Sequence, residues 1–321
     1  MRGATTPNAA AWGRQMEAVE TTITIVEGPD GGGKSTYAEE LARDTDARLV
    51  HCTPFTGVNR GLARLYVEAM LPALLNYQNV VLDRSWLSEP IYGKAFRKGA
   101  DRIGRVRRRM LERTAMRCAC AVVRCQPAWS VCLKTYRSRK GQEYLETEKQ
   151  LDVVYHEYCF METSLPVVEH DYTKGGFLAK LEPMAIPPSH PTGSRSAGNF
   201  HAPVVIVGDK FGLVKDCDPL LQLPFVSYNG SGCSSWLTEK LDEADINEEK
   251  LLWVNADDPL LQQIVDARTR RLVCALGAAA GDRLTRLEIA HERFAHPQHA
   301  KRFRYSTQYP LVKAVTEALS P

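Results

Sequence analysis

No apolar run in the 321 residues approaches the ~18 that a membrane-crossing helix needs, so no span is expected. A surplus of one charge is lacking too: 41 lysines and arginines meet 38 aspartates and glutamates, and the net +3 names no partner. The opening residues, Met1 to Glu20, hold Thr, Asn, Gln and Glu without a greasy segment, so no secretory signal peptide is expected there. No internal repeat of solenoid length is visible. Cysteine is present without a framework: the nine are scattered at Cys52, Cys118, Cys120, Cys125, Cys132, Cys159, Cys217, Cys233 and Cys274, an odd count that does not suit a secreted disulfide scaffold. The run from Cys118 to Cys132 lacks two Cys-x-x-Cys knuckles, so no structural zinc is expected. Cys120 to Cys125, in Cys-Ala-Val-Val-Arg-Cys, reads as a buried strand in which the thiols act as small hydrophobes. Reduced thiols in a cytoplasm fit this usage.

What remains is the composition of a soluble chain with a real core, 44% apolar and 25% charged. At ~150 residues per domain the length suggests two domains. Residues 1–19 read as a flexible N-terminus. Composition shifts once, over residues 182–199, where Pro183 to Asn199 mixes four prolines with Ser and Gly and reads as a linker. It separates a domain over residues 20–181 from a second over residues 200–321. In the first, strands are expected at Thr22–Glu27, Arg48–Cys52, Asn79–Asp83, Cys118–Cys125 and Val167–Asp171. Helices follow the first strand, run as one long region over Ser88–Arg117, and fill Pro127–Phe160. That alternation predicts an α/β fold: a parallel sheet with helices on both faces. The second domain repeats it, with strands at Val204–Gly208, Leu251–Asn255 and Leu272–Gly277 and helices at Trp236–Ala244, Pro259–Ala267 and Tyr309–Leu319. It is a second α/β domain.

The strongest motif is Gly28-Pro29-Asp30-Gly31-Gly32-Gly33-Lys34-Ser35, the G-x4-G-K-[ST] phosphate loop, placed after a buried strand and before a helix. Its glycines let backbone N–H groups turn onto phosphate oxygens, and the helix N-terminus adds partial positive charge. Lys34 is expected to reach the β and γ phosphates of ATP and Ser35 to ligate Mg²⁺.

Glu27 to Thr36 resembles the first motif of thymidylate kinases, which carry an acid in mid-loop. The resemblance continues at Asp83-Arg84-Ser85, which is also similar to deoxynucleoside kinases, at Ser88 and Tyr92, and at the lid-like Tyr136-Arg137-Ser138-Arg139-Lys140-Gly141. It covers roughly Thr22 to Thr173. It implies a phosphotransferase in which Gly28 to Thr36 bind ATP, Asp30 faces the acceptor and Arg84 holds the acceptor beside the γ phosphate. It further implies that Asp83 sits near the metal and that Arg137 and Arg139 clamp the transferring phosphoryl. Two features depart from that pattern. His51-Cys52-Thr53-Pro54-Phe55-Thr56-Gly57 stands where thymidylate kinases carry an Arg-Glu-Pro-like segment and deoxynucleoside kinases a catalytic acid. Between Arg97 and Arg117 nine cations, Arg105 and Arg108 among them, face two acids, a strip that a polyphosphate backbone could use. A solvated basic face is the plain alternative.

The second domain presents Val204 to Asp209, Pro224-Phe225, Gly230-Ser231-Gly232, Trp253-Val254-Asn255, Ala275 to Ala278 and His296-Pro297 in an order similar to the uracil-DNA glycosylase superfamily. That resemblance implies Phe225 as a stacking ring for an everted pyrimidine, Asn255 as the reader of its edge and His296 near its carbonyl. Asp209 is the only obvious acid near the first of these motifs, and the water-activating arrangement is not reproduced, so binding without glycosidic cleavage is expected. Together the two domains resemble the phage 5-hydroxymethyluracil DNA kinases, which implies DNA with a modified pyrimidine as acceptor and partner. A neutral hydroxymethyl acceptor asks for a proton-accepting carboxylate, with Asp30, Asp83 and Glu89 as candidates in that order. A free dTMP or dNMP kinase and an ATP-dependent DNA-binding or repair protein remain the alternatives.

Overall fold

The computed structural model describes residues 21–52, 61–139, 145–175, 190–191, 193–210, 222–228, 232–266, 270–303 and 309–320. Five strands form the sheet of the first half, buried β1 (Thr22–Glu27), β3 (Val80–Asp83) and β4 (Ala119–Cys125) at its centre, more exposed β2 (Arg48–His51) and β5 (Val167–His170) at its edges. They lie in the order β2-β3-β1-β4-β5, every neighbouring pair parallel. Between them run α1 (Lys34–Asp44), α2 (Leu62–Leu74), α3 (Ser88–Phe96), α4 (Arg105–Ala115), α5 (Trp129–Ser138) and α6 (Glu148–Cys159). Side chains alternate across the pleat of β1. Ile23 and Ile25 pack with Tyr66 and Met70 of α2, while Val26 packs with Tyr37, Ala38 and Leu41 of α1. Both faces of the sheet are therefore covered.

The second half forms β6 (Ala197–Gly198), β7 (Val204–Gly208), β8 (Leu251–Asn255), β9 (Leu272–Leu276) and β10 (Glu292–Phe294). Their order is β10-β9-β7-β8-β6, parallel except for the antiparallel edge strand β6. Val204 and Ile206 pack with Leu237 of α7 (Gly232–Glu243) and Leu311 of α11 (Pro310–Leu319). Val205 and Val207 face Leu261 and Ile264 of α8 (Leu261–Asp266) and Leu284 of α9 (Ala278–Arg286). A short α10 (Pro297–Arg302) follows β10.

Three expectations need correction. Ser88–Arg117 is not one helical region: Lys98, Gly99 and Gly104, at φ of 52°, 87° and 77°, break it into α3 and α4. The described part of the Pro-rich stretch, residues 190–191 and 193–199, is no free tether. His190, Ser194 and Ser196 are buried, β6 pairs with β8, and Arg117 donates to the carbonyls of Ser196 (2.7 Å) and Ser194 (3.0 Å). The arginine strip is also not left open for a polyphosphate. Arg105 and Arg109 pair with Asp242 of α7 at 2.8 and 3.0 Å, Arg109 reaches Asn247 at 2.8 Å, and Arg108 pairs with Asp101. Arg97 and Arg102 both hold Glu89. Helix α4 thus packs Leu111 and Ala115 into the first core while its arginines grip the second half.

Candidate active site

The phosphate loop leaves β1 at Glu27 and closes at Lys34, the first residue of α1. Gly28, at φ 142°, lies so close over the end of β4 that a Cβ there would strike the carbonyl oxygen of Cys125, so only glycine lets the loop cross the strand. Gly32 N–H donates to the Pro29 carbonyl at 3.1 Å, and the Lys34 ammonium lies inside the turn, donating to the same oxygen at 2.6 Å. Burial pushes the Lys34 pKa down, and the charge of Arg84 pushes the same way. Ser35 and Thr36 are exposed at the helix start.

Asp30 faces inward. Its two oxygens accept from Arg84 Nη2 (2.7 Å) and Tyr92 O–H (2.6 Å). Burial opposes its ionisation, yet Arg84 and Lys34 together hold the carboxyl below its ordinary range. Arg84 itself sits at φ +71°, a conformation that bulky side chains rarely adopt. Four contacts fix it there: its N–H on the Val26 carbonyl (3.0 Å), Asp30, the Tyr158 hydroxyl (3.4 Å) and the Tyr92 ring, 4.7 Å below the guanidinium.

Beneath this pair lies Glu27, fully buried, accepting from Ser85 (2.7 Å), Ser88 (2.6 Å) and Tyr158 (2.9 Å). Burial raises its pKa, and the hydroxyl bonds from Ser88 and Ser85 offset part of that. Sequence reasoning gave Glu27 and Tyr158 no role. Tyr158 lies 131 residues from its carboxylate partner and offers no sequence signal. Asp83 ends β3 and meets His51 of the neighbouring β2 through Nδ1 at 3.0 Å. Glu89 is closed to proton transfer: Arg102 forks both of its oxygens, at 2.7 and 2.8 Å, and Arg97 adds a third bond at 3.1 Å. Of the lid-like arginines, Arg137 is exposed and paired with Glu148 at 2.8 Å, and Arg139 is exposed at the end of α5, whereas Lys140 and Gly141 lie outside the described residues.

A second cluster gathers at the C-terminal ends of β7, β8 and β9, where open parallel sheets bind ligands. A Cβ on Gly208 would lie 2.5 Å from Asn255 Oδ1 and 2.6 Å from the ring of Phe225, so glycine alone lets both side chains meet over the strand end. Phe225, at φ +53°, lies 5.4 Å from the Trp253 ring. Asp209 accepts from the Ala280 N–H of α9 at 2.9 Å. His296 caps α10, its Nδ1 accepting from Gln298 N–H at 3.2 Å. Burial lowers the His296 pKa and the charge of Asp209 opposes that shift. Phe225 and Asn255 therefore meet over Gly208 at the end of β7, and Asp209 lies against Gly277, just past the end of β9. Arg105 and Arg108 do not join them; their partners are Asp242 and Asp101.

A phosphate loop on the central strand of a fully parallel five-stranded sheet, faced by an acid and an arginine, defines the P-loop kinase-like class of α/β proteins. No family model and no curated protein matches the sequence. Solved structures do match in fold over just under half of the chain. A YorR protein of Bacillus subtilis, solved with phosphorylated GDP, is 25% identical, with 48% of this chain and 88% of that chain covered at a TM-score of 0.39. A deoxyadenosine kinase from M. mycoides is 13% identical, covering 48% and 92% at 0.31. A thymidylate kinase from Candida albicans is 16% identical, covering 47% and 84% at 0.31. At such TM-scores the likeness lends no weight to a substrate, and the site's own geometry has to carry it. Among the described residues no helix is long and apolar enough to cross a membrane.

Proposed function

We propose that the chain is an ATP-dependent phosphotransferase that phosphorylates the hydroxymethyl group of 5-hydroxymethyluracil in DNA, a step of phage thymidine hypermodification. The observation that carries this reading is the pairing of two sites in one chain: a phosphate loop whose Asp30 holds Arg84, and the Phe225–Asn255 pair over Gly208 at the second sheet's strand ends. Lys34 and the loop N–H groups hold the donor's phosphates, and Arg84, aimed by Asp30 and Tyr92, meets the negative charge that spreads over the phosphoryl oxygens. Mg²⁺ fits the hard oxygen donors at the loop, the Ser35 hydroxyl and the Asp83 carboxylate, since this ion takes few protein ligands and keeps waters and phosphate oxygens. It would supply charge neutralisation between the phosphates. Phe225 stacks on the everted base, Asn255 bonds its edge, and His296 and Asp209 flank it, with DNA bound and not cleaved.

The arginine strip favours a second reading. With Arg105, Arg108 and Arg109 on internal carboxylates, the charge argument for a polymeric acceptor weakens, and a free dTMP or dNMP kinase becomes the rival. Labelled ATP separates the two: label on DNA containing 5-hydroxymethyluracil is expected, with none from Lys34→Met. Label on dTMP alone would sink the DNA reading, and DNA-stimulated ATP hydrolysis without labelled DNA would point to a DNA-binding or repair protein.

A further inference from the structure

Arg113 belongs to α4 of the first half, yet its side chain is fully buried and its hydrogen-bond partners lie in the second. Its Nε and Nη2 fork Glu248 at 3.0 and 2.6 Å, Nη2 also reaches the Thr238 hydroxyl at 3.1 Å, and the guanidinium plane lies 3.7 Å above the Trp253 ring. The remaining arm, Nη1, donates to the carbonyl of Phe225 at 2.5 Å. Phe225 is held at φ +53°, in the left-handed region where a bulky residue rests only under outside constraint. The carbonyl direction and the ring direction of one residue are coupled through its φ and ψ. Its ring covers Gly208 beside Asn255 Oδ1. Trp253, clamped between Arg113 and its own bond to Glu248 (3.0 Å), stands two residues before Asn255 on β8. One guanidinium from the loop-bearing half thus touches both supports of the second cluster, the Phe225 turn and the β8 end.

We propose that Arg113 is a positioning residue for the second site: it holds the Phe225 ring in its stacking orientation, so that base binding depends on a helix of the kinase half. This rests on the base-binding reading of that site. Only a planar fork does this: a lysine supplies charge to Glu248 but cannot also span to the Phe225 carbonyl and stack on Trp253. Arg113→Lys therefore keeps the buried carboxylate paired while releasing the turn.

The test has two readouts on the full chain. In protein labelled with 4-fluorophenylalanine, the resonance of Phe225 is assigned among the nine phenylalanines with Phe225→Leu. In Arg113→Lys it is expected to shift or broaden, with a native circular dichroism spectrum and a single cooperative melt reporting the intact fold. Binding of a fluorescent oligonucleotide containing 5-hydroxymethyluracil is expected to weaken by about tenfold or more, the scale of a lost base–aromatic stack, with KM for ATP unaltered. Phe225→Ala and the Phe225→Ala/Arg113→Lys pair are expected to bind equally weakly, because the arginine acts through the ring. An unmoved Phe225 resonance, undiminished binding by Arg113→Lys, or losses that multiply in the double variant would each overturn the proposal. A wild-type protein that ignores the oligonucleotide defeats the base-binding reading instead, and the resonance then decides alone whether Arg113 holds the ring. Should Arg113→Lys fail to fold, Glu248→Gln, which loosens the same fork, is read by the same two measurements.

Discussion

At the scale of single residues, Asp30 illustrates how partners decide a role. The mid-loop acid is the first choice for proton acceptor on sequence grounds, because the thymidylate-kinase resemblance implies that it faces the acceptor. In the structure both of its oxygens are taken, one by Arg84 and one by Tyr92, and its carboxyl lies below its ordinary range. A carboxylate so satisfied accepts a proton poorly and is well suited to aiming a guanidinium. Asp30→Asn is therefore expected to lower kcat by about a hundredfold or more, the usual cost of misplacing one charge-stabilising donor. KM for ATP should change little, because Lys34 and the loop backbone remain. Steady-state kinetics at varied ATP checks this, and a fall confined to the KM for ATP would contradict it.

At the scale of elements, every strand but the edge strands β6 and β10 was legible, and one helical region was misread. β1 and β7 announce themselves as short buried runs between turn residues. The loop announces itself because few backbones other than a phosphate cradle need so many glycines before a lysine. Helix α2 stays unassigned in the sequence, and Pro72 lies inside it near the C-terminal end, where the ring leaves the bond to the carbonyl four residues back unmade. The α4 arginines read as a basic strip because their partners, Asp242 and Glu248, lie more than a hundred residues downstream and no periodicity links them. Edge strand β6 hides inside proline-rich sequence for the same reason, since a fold contact and not local propensity defines it. Its neighbour His190 yields a prediction. The imidazole bonds Ser196 Oγ at 2.6 Å and the Gly198 carbonyl at 2.8 Å. Burial, and then the charge of Arg117, pull its pKa from 6.5 to about 3. Neutral His190 thus favours the fold fully above pH 6.5, and that contribution is lost as pH falls towards about 3. His190→Gln should flatten the fall of stability with acid across that window, by at most about 1.4 kcal/mol per pH unit. Urea unfolding followed from pH 7 to pH 4 checks it, and an unaltered slope would remove His190 as the cause.

At the scale of the whole molecule, the sequence suggested two domains joined by a linker, and the structure adds a helix that serves both. α4 packs Leu111 and Ala115 into the first core and buries Arg113 in the second half. Unfolding either half breaks the buried Arg113–Glu248 fork and uncovers the face of α4 that the other half packs on. The chain is therefore expected to unfold in one cooperative calorimetric transition instead of two. Two resolved transitions, one shifted by ATP and the other not, would show the halves to be independent.

The enclosure of Arg113 and Glu248 reaches into how the protein responds to ionic strength. Mobile ions screen charges that water can reach, over about 8 Å at physiological strength, and they have no access to a guanidinium walled in by Trp253 and Thr238. Any electrostatic hold on a nucleic acid, by contrast, must lie on accessible surface and fade as electrolyte is added. Rising salt would accordingly peel a polyanion from the surface long before it could part the two sheets.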